Sequence, residues 1–173
     1  MNFPTIIEYN PAYQKYIELV ENDNFFDQFD AITNETLRFF NSVSTDKLNY
    51  KYSENKWTIK DVLMHIIDTE RGFSYRAIVC IRQDDKTPFY GMDEDFYANN
   101  VNVTDRKIEN MLEEFETVRK SFRILFENCT EEQSKFLGNG VGHKISARAL
   151  GFISIGHTKH HINIIKERYL TDN

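Results

Sequence analysis

The chain has 173 residues, 40% hydrophobic and 28% charged, with a formal net charge of −6. That balance belongs to a globular domain large enough to bury a core without staples, and an acidic chain with no Lys/Arg cluster is a poor match for nucleic acid. No apolar run approaches the length of a membrane span, and the opening MNFPTIIEYN lacks the basic and apolar regions of a signal peptide. A single domain over residues 1–173, cytoplasmic and away from membranes, is therefore expected. The fourteen Phe and nine Tyr read as core and pocket lining. Cys80 and Cys129 stand far apart with no CxxC spacing and read as reduced, buried thiols.

Taken in order, residues 11–20, PAYQKYIELV, predict a short opening helix with proline at its first position. A polar break at Glu21–Asn24 follows. Phe25, Phe29, Ile32, Thr36, Phe40 and Val43 then recur at helical spacing and predict a second helix. Residues 44–56 are polar and turn-like. Thr58 and Asp61 have the spacing of a capping box, opening a third helix whose apolar stripe runs through Val62, Leu63, Ile66, Phe73, Ala77, Cys80 and Ile81.

His65 sits beside that stripe, about 100° from its centre, and Thr69, Gly72 and Arg76 share its line. A glycine on that line leaves room for something to approach the helix. Asp68 lies near enough to orient the His65 ring or a bound water. Glu70 falls inside the apolar stripe, where a carboxylate needs a partner; Arg71, Arg76 or a distant arginine would serve. Glu70 thus reads either as a helix-locking ion-pair partner or as an acid/base group. Cys80, on the apolar face, is not expected to be catalytic.

Residues 84–103, with Pro88, Gly91 and the aromatics Phe89, Tyr90, Phe96 and Tyr97, predict a long structured crossover loop covering one end of the molecule. Thr104 or Asp105 is the expected cap of the next helix, which places Ile108, Met111, Leu112, Phe115, Val118, Phe122, Leu125 and Phe126 on one face. Residues 128–145 read as a second irregular link, with His143 in solvent. Ser146 caps a last helix reaching about Tyr169. Four long amphipathic helices, no convincing strand and two long connections give an all-α four-helix bundle.

The last helix carries GHTKHHINIIKERY, with three of the five histidines. With His157 at zero on a helical wheel, His161 falls at about 40° and Ile153 and Ile164 lie close by, so both histidines point into the apolar stripe. His160 lies on the flank. Two imidazoles one turn apart can share a metal ion, although inward histidines can equally be core residues bonded to carbonyls. His65 is the one other histidine near an inward face. If its helix packs beside the last one, His65, His157 and His161 make a three-histidine set with open positions, the mark of a reactive site.

The stretch KYSENKWTIKDVLMHIIDTERGFSYRA and the ending ISARALGFISIGHTKHHINIIKERY resemble the DinB/YfiT-like superfamily, in the branch of short single-domain DinB-like proteins. The resemblance spans nearly the whole chain and implies a four-helix bundle with a short N-terminal helix, often dimeric. It implies a divalent metal, nickel or zinc, held by His65, His157 and His161. It implies a small-molecule substrate, and in characterised relatives a low-molecular-weight thiol such as bacillithiol or mycothiol, made nucleophilic on the metal. Asp68, Glu70 and Arg76 are the candidates for supporting roles around the ligands, and Arg76 and Arg168 for meeting a carboxylate. The expected function is a metal-dependent thiol S-transferase acting on small electrophiles in detoxification or stress response. The alternatives are a metal-dependent hydrolase, with Glu70 or Asp68 as base, and a non-catalytic dimeric bundle.

Overall fold

The structure, a computed structural model, describes residues 1–140 and 142–171. Two 3-10 turns, Ile6–Glu8 and Pro11–Tyr13, lead into α1 (Gln14–Ile17). Then come α2 (Phe25–Ser42), α3 (Thr45–Leu48), α4 (Ile59–Ile81), β1 (Pro88–Phe89), α5 (Glu94–Asn99) and α6 (Ile108–Glu127). The chain continues through α7 (Glu131–Lys135), β2 (Leu137–Gly140) and β3 (His143–Ser146) to α8 (Ala147–Arg168). The four long helices form a bundle in which α4 packs on α8 and α6, while α2 packs on α6 and α8. Around the bundle the order is therefore α2, α6, α4, α8.

Local chemistry sets the helix starts. Thr58 Oγ1 accepts from Asp61 N at 3.0 Å and the Asp61 carboxylate accepts from Thr58 N at 2.8 Å, closing the capping box of α4. Ser146 caps α8 by accepting from Ala149 N. Asn24 caps α2 in the same way. The expected cap of α6 is corrected: Lys107 occupies that position and gives no side-chain bond. Thr104 instead offers its carbonyl to the buried Lys60 ammonium, 2.8 Å away.

The absence of strands is also corrected. Three short strands form a sheet in the order β1–β2–β3, the first pair parallel and the second antiparallel. Gly142, at φ +80°, makes the turn between β2 and β3, a backbone conformation that favours glycine. The sheet rests on the end of α4, where Cys80 Sγ lies 3.4 Å from the Ile145 carbonyl and burial pushes its thiol up to about 11. Cys129 is half-buried, where full burial was expected. The opening helix is shorter than the expected residues 11–20, because a 3-10 turn replaces its first part. Among the described residues no helix is long and apolar enough to cross a membrane.

The core has two clusters, one around Phe25, Phe29, Phe122 and Phe152 and one around Phe40, Leu63, Phe115 and Ile165. Arg119 lies between them at 1% exposure. Its guanidinium donates to Glu70 Oε1 (3.0 Å), Ser154 Oγ (3.1 Å), Thr33 Oγ1 (2.9 Å) and the Phe29 carbonyl (3.2 Å), and stacks 3.5 Å over the Phe29 ring. One side chain of α6 thus touches α4, α8 and α2. Glu70 is the helix-locking partner, and its arginine is the distant one.

A second buried pair ties the N-terminus down. Glu8 accepts from Arg148 Nε at 2.6 Å, from a second Arg148 nitrogen and from Ser146 Oγ at 2.8 Å. Burial opposes ionisation of Glu8, but the bonds from Arg148, Thr5 and Ser146 outweigh it and hold the carboxyl at about 2, below its ordinary 4.5.

Glu70→Gln, which strands the Arg119 charge in the core, is expected to cost about 3–5 kcal/mol in urea unfolding, and Glu70→Leu with Arg119→Met together much less than the sum of the single changes. An additive double variant would show that the two side chains act separately. Because the folded Glu8 is depressed, its stabilisation is complete above about pH 4.5 and is lost as pH falls towards about 2. Thermal melts of Glu8→Gln should start lower at pH 7 and decline less between pH 5 and 2.5 than those of the wild type.

Candidate metal centre

α4 and α8 pack side by side, and their facing surfaces bring His65, His157 and His161 to one point. His157 Nε2 lies 3.0 Å from His65 Nε2 and 3.1 Å from His161 Nε2. One candidate ligand atom from each of the three lies within 4.8 Å of the others. Burial is the main reason all three rings stay neutral: it lowers His65 to about 4 and His161 to about 2, and carries His157 well below its usual value. The Asp95 charge acts on His65 in the opposite sense.

Neutral imidazoles meeting through the same ring nitrogen can share at most one proton between each pair, so lone pairs are left directed at one another. A divalent cation satisfies that arrangement. Metal–nitrogen bonds of about 2.1 Å at near right angles give nitrogen spacings of about 3 Å. The donor set, neutral nitrogen without thiolate, suits zinc, nickel, copper or iron(II).

The surroundings hold the rings in place. Trp57, just before the α4 cap, has its ring 4.9 Å from that of His65, and Tyr169 Oη donates to the Trp57 carbonyl at 2.8 Å. The end of α8 is thereby tied to the start of α4. On the other side α1 crosses α8 at Gly156, where a Cβ would stand 1.9 Å from the Tyr16 carbonyl oxygen. That close crossing sets the Tyr16 ring edge-on to His157 (5.2 Å) and to His160 (5.3 Å).

The histidines line a cavity of about 440 Å³ that also touches Trp57, Tyr16, Phe73, Thr69 and Gly72. Thr69 is 8% exposed and its hydroxyl has no hydrogen-bond partner among the described residues. A buried hydroxyl in that condition on a cavity wall is suited to a ligand. At Gly72 a Cβ would meet nothing within 4 Å, so the room inferred from the sequence is present.

The other expected residues fall in different places. Asp68 is bonded to Arg71 at 3.3 Å, and burial raises its carboxyl. The Glu70 carboxylate faces Arg119 in the core and does not line the cavity. Arg76 does line it, while Arg168, seven positions past His161, reaches Tyr52 on the surface. His160 joins the cavity wall without joining the cluster of three, and His143 is exposed on β3. Sequence reasoning missed Tyr13, Tyr16, Met92 and Glu94, which reach the cavity from the N-terminal turns and the crossover. These segments are too short to show a helical period; the aromatic–acid clustering was the signal available.

None of the curated proteins compared with the chain matches it. Among solved structures it is similar to YfiT from Bacillus subtilis, described as a probable metal-dependent hydrolase with an unusual four-helix bundle topology. The TM-score is 0.71 at 17% identity, over 94% of this chain and 92% of that one. It is also similar to a mycothiol-dependent maleylpyruvate isomerase, with a TM-score of 0.65 at 11% identity over 85% of this chain; it spans 61% of the isomerase. At these identities the likeness is one of fold. The sequence model of the DinB superfamily matches residues 28–165, and on that match the chain belongs to the DinB superfamily.

Proposed function

We propose that the protein is a divalent-metal-dependent enzyme acting on small molecules, and within that class a thiol S-transferase of the bacillithiol type. The observation that carries the reading is the meeting of one ring nitrogen from each of three neutral histidines within 4.8 Å on the wall of an aromatic-lined cavity. His65, His157 and His161 would hold zinc or nickel. When bound, such an ion lowers the pKa of a coordinated thiol or water.

The chain's own groups favour the thiol. A hydrolase needs a positioned base to take a proton from water. Asp68 and Glu70 are each turned to an arginine, at 3.3 Å and 3.0 Å. A thiol needs only its ordinary pKa lowered, and its proton then goes to solvent. The sulfur lone pair forms the new S–C bond as the leaving group departs with its own pair. Trp57, Tyr16 and Phe73 narrow the cavity around the reacting atoms, and Thr69 supplies a free hydroxyl one turn after His65.

The hydrolase reading is supported by the description of YfiT and by Glu94, an exposed carboxylate on the cavity wall that could serve as its base. A homodimer belongs to the proposal on the resemblance alone, and sedimentation velocity reads it.

Untagged protein is expected to carry about one zinc or nickel ion per chain by elemental analysis, lost in His65→Ala and His157→Ala. With the metal present, the wild type should form S-conjugates from bacillithiol and a chloroarene, and His161→Ala should lose at least about 100-fold in rate with its helical content intact. Absence of metal even after dialysis against zinc and nickel would sink the proposal. Ester turnover without thiol, abolished in Glu94→Gln, would establish the hydrolase instead.

A further inference from the structure

Arg76 follows His65 by eleven residues on one face of α4, about 16 Å along the helix axis. Its Nη2 donates to the Tyr90 carbonyl at 2.6 Å, and the guanidinium stands 5.9 Å from the Phe73 ring centre and 6.0 Å from that of Phe89. Backbone and two rings therefore brace it. Arg71, Arg106, Arg119, Arg123 and Arg148 are each paired with a carboxylate, while among the described residues Arg38, Arg76, Arg82 and Arg168 are not. Among those residues the remaining N–H groups of Arg76 have no protein acceptor.

Three cavities border this side chain, one of them, of about 360 Å³, also lined by Asp68 and Arg71. The one containing the histidines shares Asn10, Tyr13, Arg76 and Gly91 with a second cavity of about 210 Å³. Arg76, Lys144 and His143 line the second, and among the described residues no Asp or Glu does. That exclusion is notable in a chain with 27 acidic against 21 basic residues. The histidine cavity, by contrast, carries both Glu94 and Lys15. A braced guanidinium with unused N–H groups is the planar fork that binds a carboxylate through two parallel bonds.

We propose that the second cavity is a carboxylate subsite, in which Arg76, assisted by Lys144, holds the acidic end of an elongated small molecule whose other end reaches the histidines. The inference rests on the metal-centre reading for what happens at that other end; the preference for a carboxylate does not depend on it. The distance along α4 sets the ligand class: an extended acidic molecule the length of a short peptide, not a compact electrophile.

The test uses S-methylglutathione, a thioether with two free carboxylates and no thiol, and its diethyl ester, which keeps the ammonium group but has neither carboxylate, each titrated calorimetrically into the full chain. The wild type should bind the acid about tenfold more tightly than the ester. Arg76→Gln should reduce that preference to near unity with metal content unchanged, Arg76→Lys should keep part of it, and the chelator-treated wild type should keep all of it. Equal binding of acid and ester by the wild type, no measurable binding of the acid, or an undiminished preference in Arg76→Gln would each overturn the subsite. Loss of metal binding with the preference intact would fail the metal centre and leave the subsite standing.

Discussion

The buried contact between Arg119 and Glu70 is the constraint on which the rest of the bundle depends. A guanidinium at 1% exposure cannot be left without partners, and here it finds them on three other helices. Two of those partners sit on the helices that carry the histidines. Glu70 is five residues after His65 on α4, and Ser154 is three before His157 on α8. Hydrophobic side chains of similar volume could fill the same space and pack as well. They would tolerate a slide of one helix against another that the donor geometry of Arg119 does not. A shift of one turn, about 5.4 Å, would take His65 out of reach of the α8 pair.

The N-terminal segment plays a comparable part at the other end of α8. Glu8 and Arg148 fasten the first turns to the start of that helix, and Gly156 lets α1 lie directly on it. Lys159 adds a bond to the Leu19 carbonyl at 3.2 Å. Two consequences follow for the cavity. Tyr13 and Tyr16 become part of its wall, and the burial to which Tyr16 contributes lowers the pKa of His157 and His161.

The periodic elements were legible in the sequence because one physical demand, covering an apolar stripe, writes itself every three or four residues. The helix of Phe25–Ser42, the capping box at Thr58 and Asp61, and the shared face of His157 and His161 were all readable on that ground. The strands were not. Leu137–Gly140 reads LGNG, which has no alternation, and it is a strand because Pro88–Phe89 and His143–Ser146 flank it. Lys107 was missed as the start of α6 because it gives no capping bond to foresee. Arg119 was not singled out, since Glu70 called only for Arg71, Arg76 or a distant arginine. It lies four residues after Phe115 and three before Phe122, on the apolar face of its helix, where a charged residue announces a buried partner. The cavity wall contributed by Tyr13, Tyr16 and Glu94 depends on how non-periodic segments fold across the bundle, and no local pattern records that.

Gly72 shows how the fold serves its cavity at some cost to itself. It lies inside a helix of 23 residues, where glycine is about 0.5–1 kcal/mol worse than alanine. Packing does not require it, since a Cβ there would touch nothing within 4 Å. On the same line, Thr69 holds a hydroxyl that burial should have satisfied and that has no protein partner among the described residues. Arg76, two turns beyond Thr69, keeps a guanidinium with no counter-ion among the described residues. The first two are small local penalties, lost helix propensity and an unmade hydrogen bond; the third is a half-exposed charge left to solvent. They fall on one face of α4, the face that begins with His65 and borders the cavity. Stability alone would scatter such penalties or remove them. Their alignment along a single face is what a ligand lying from the histidines to Arg76 would account for, since it would occupy the space, bond the hydroxyl and neutralise the charge.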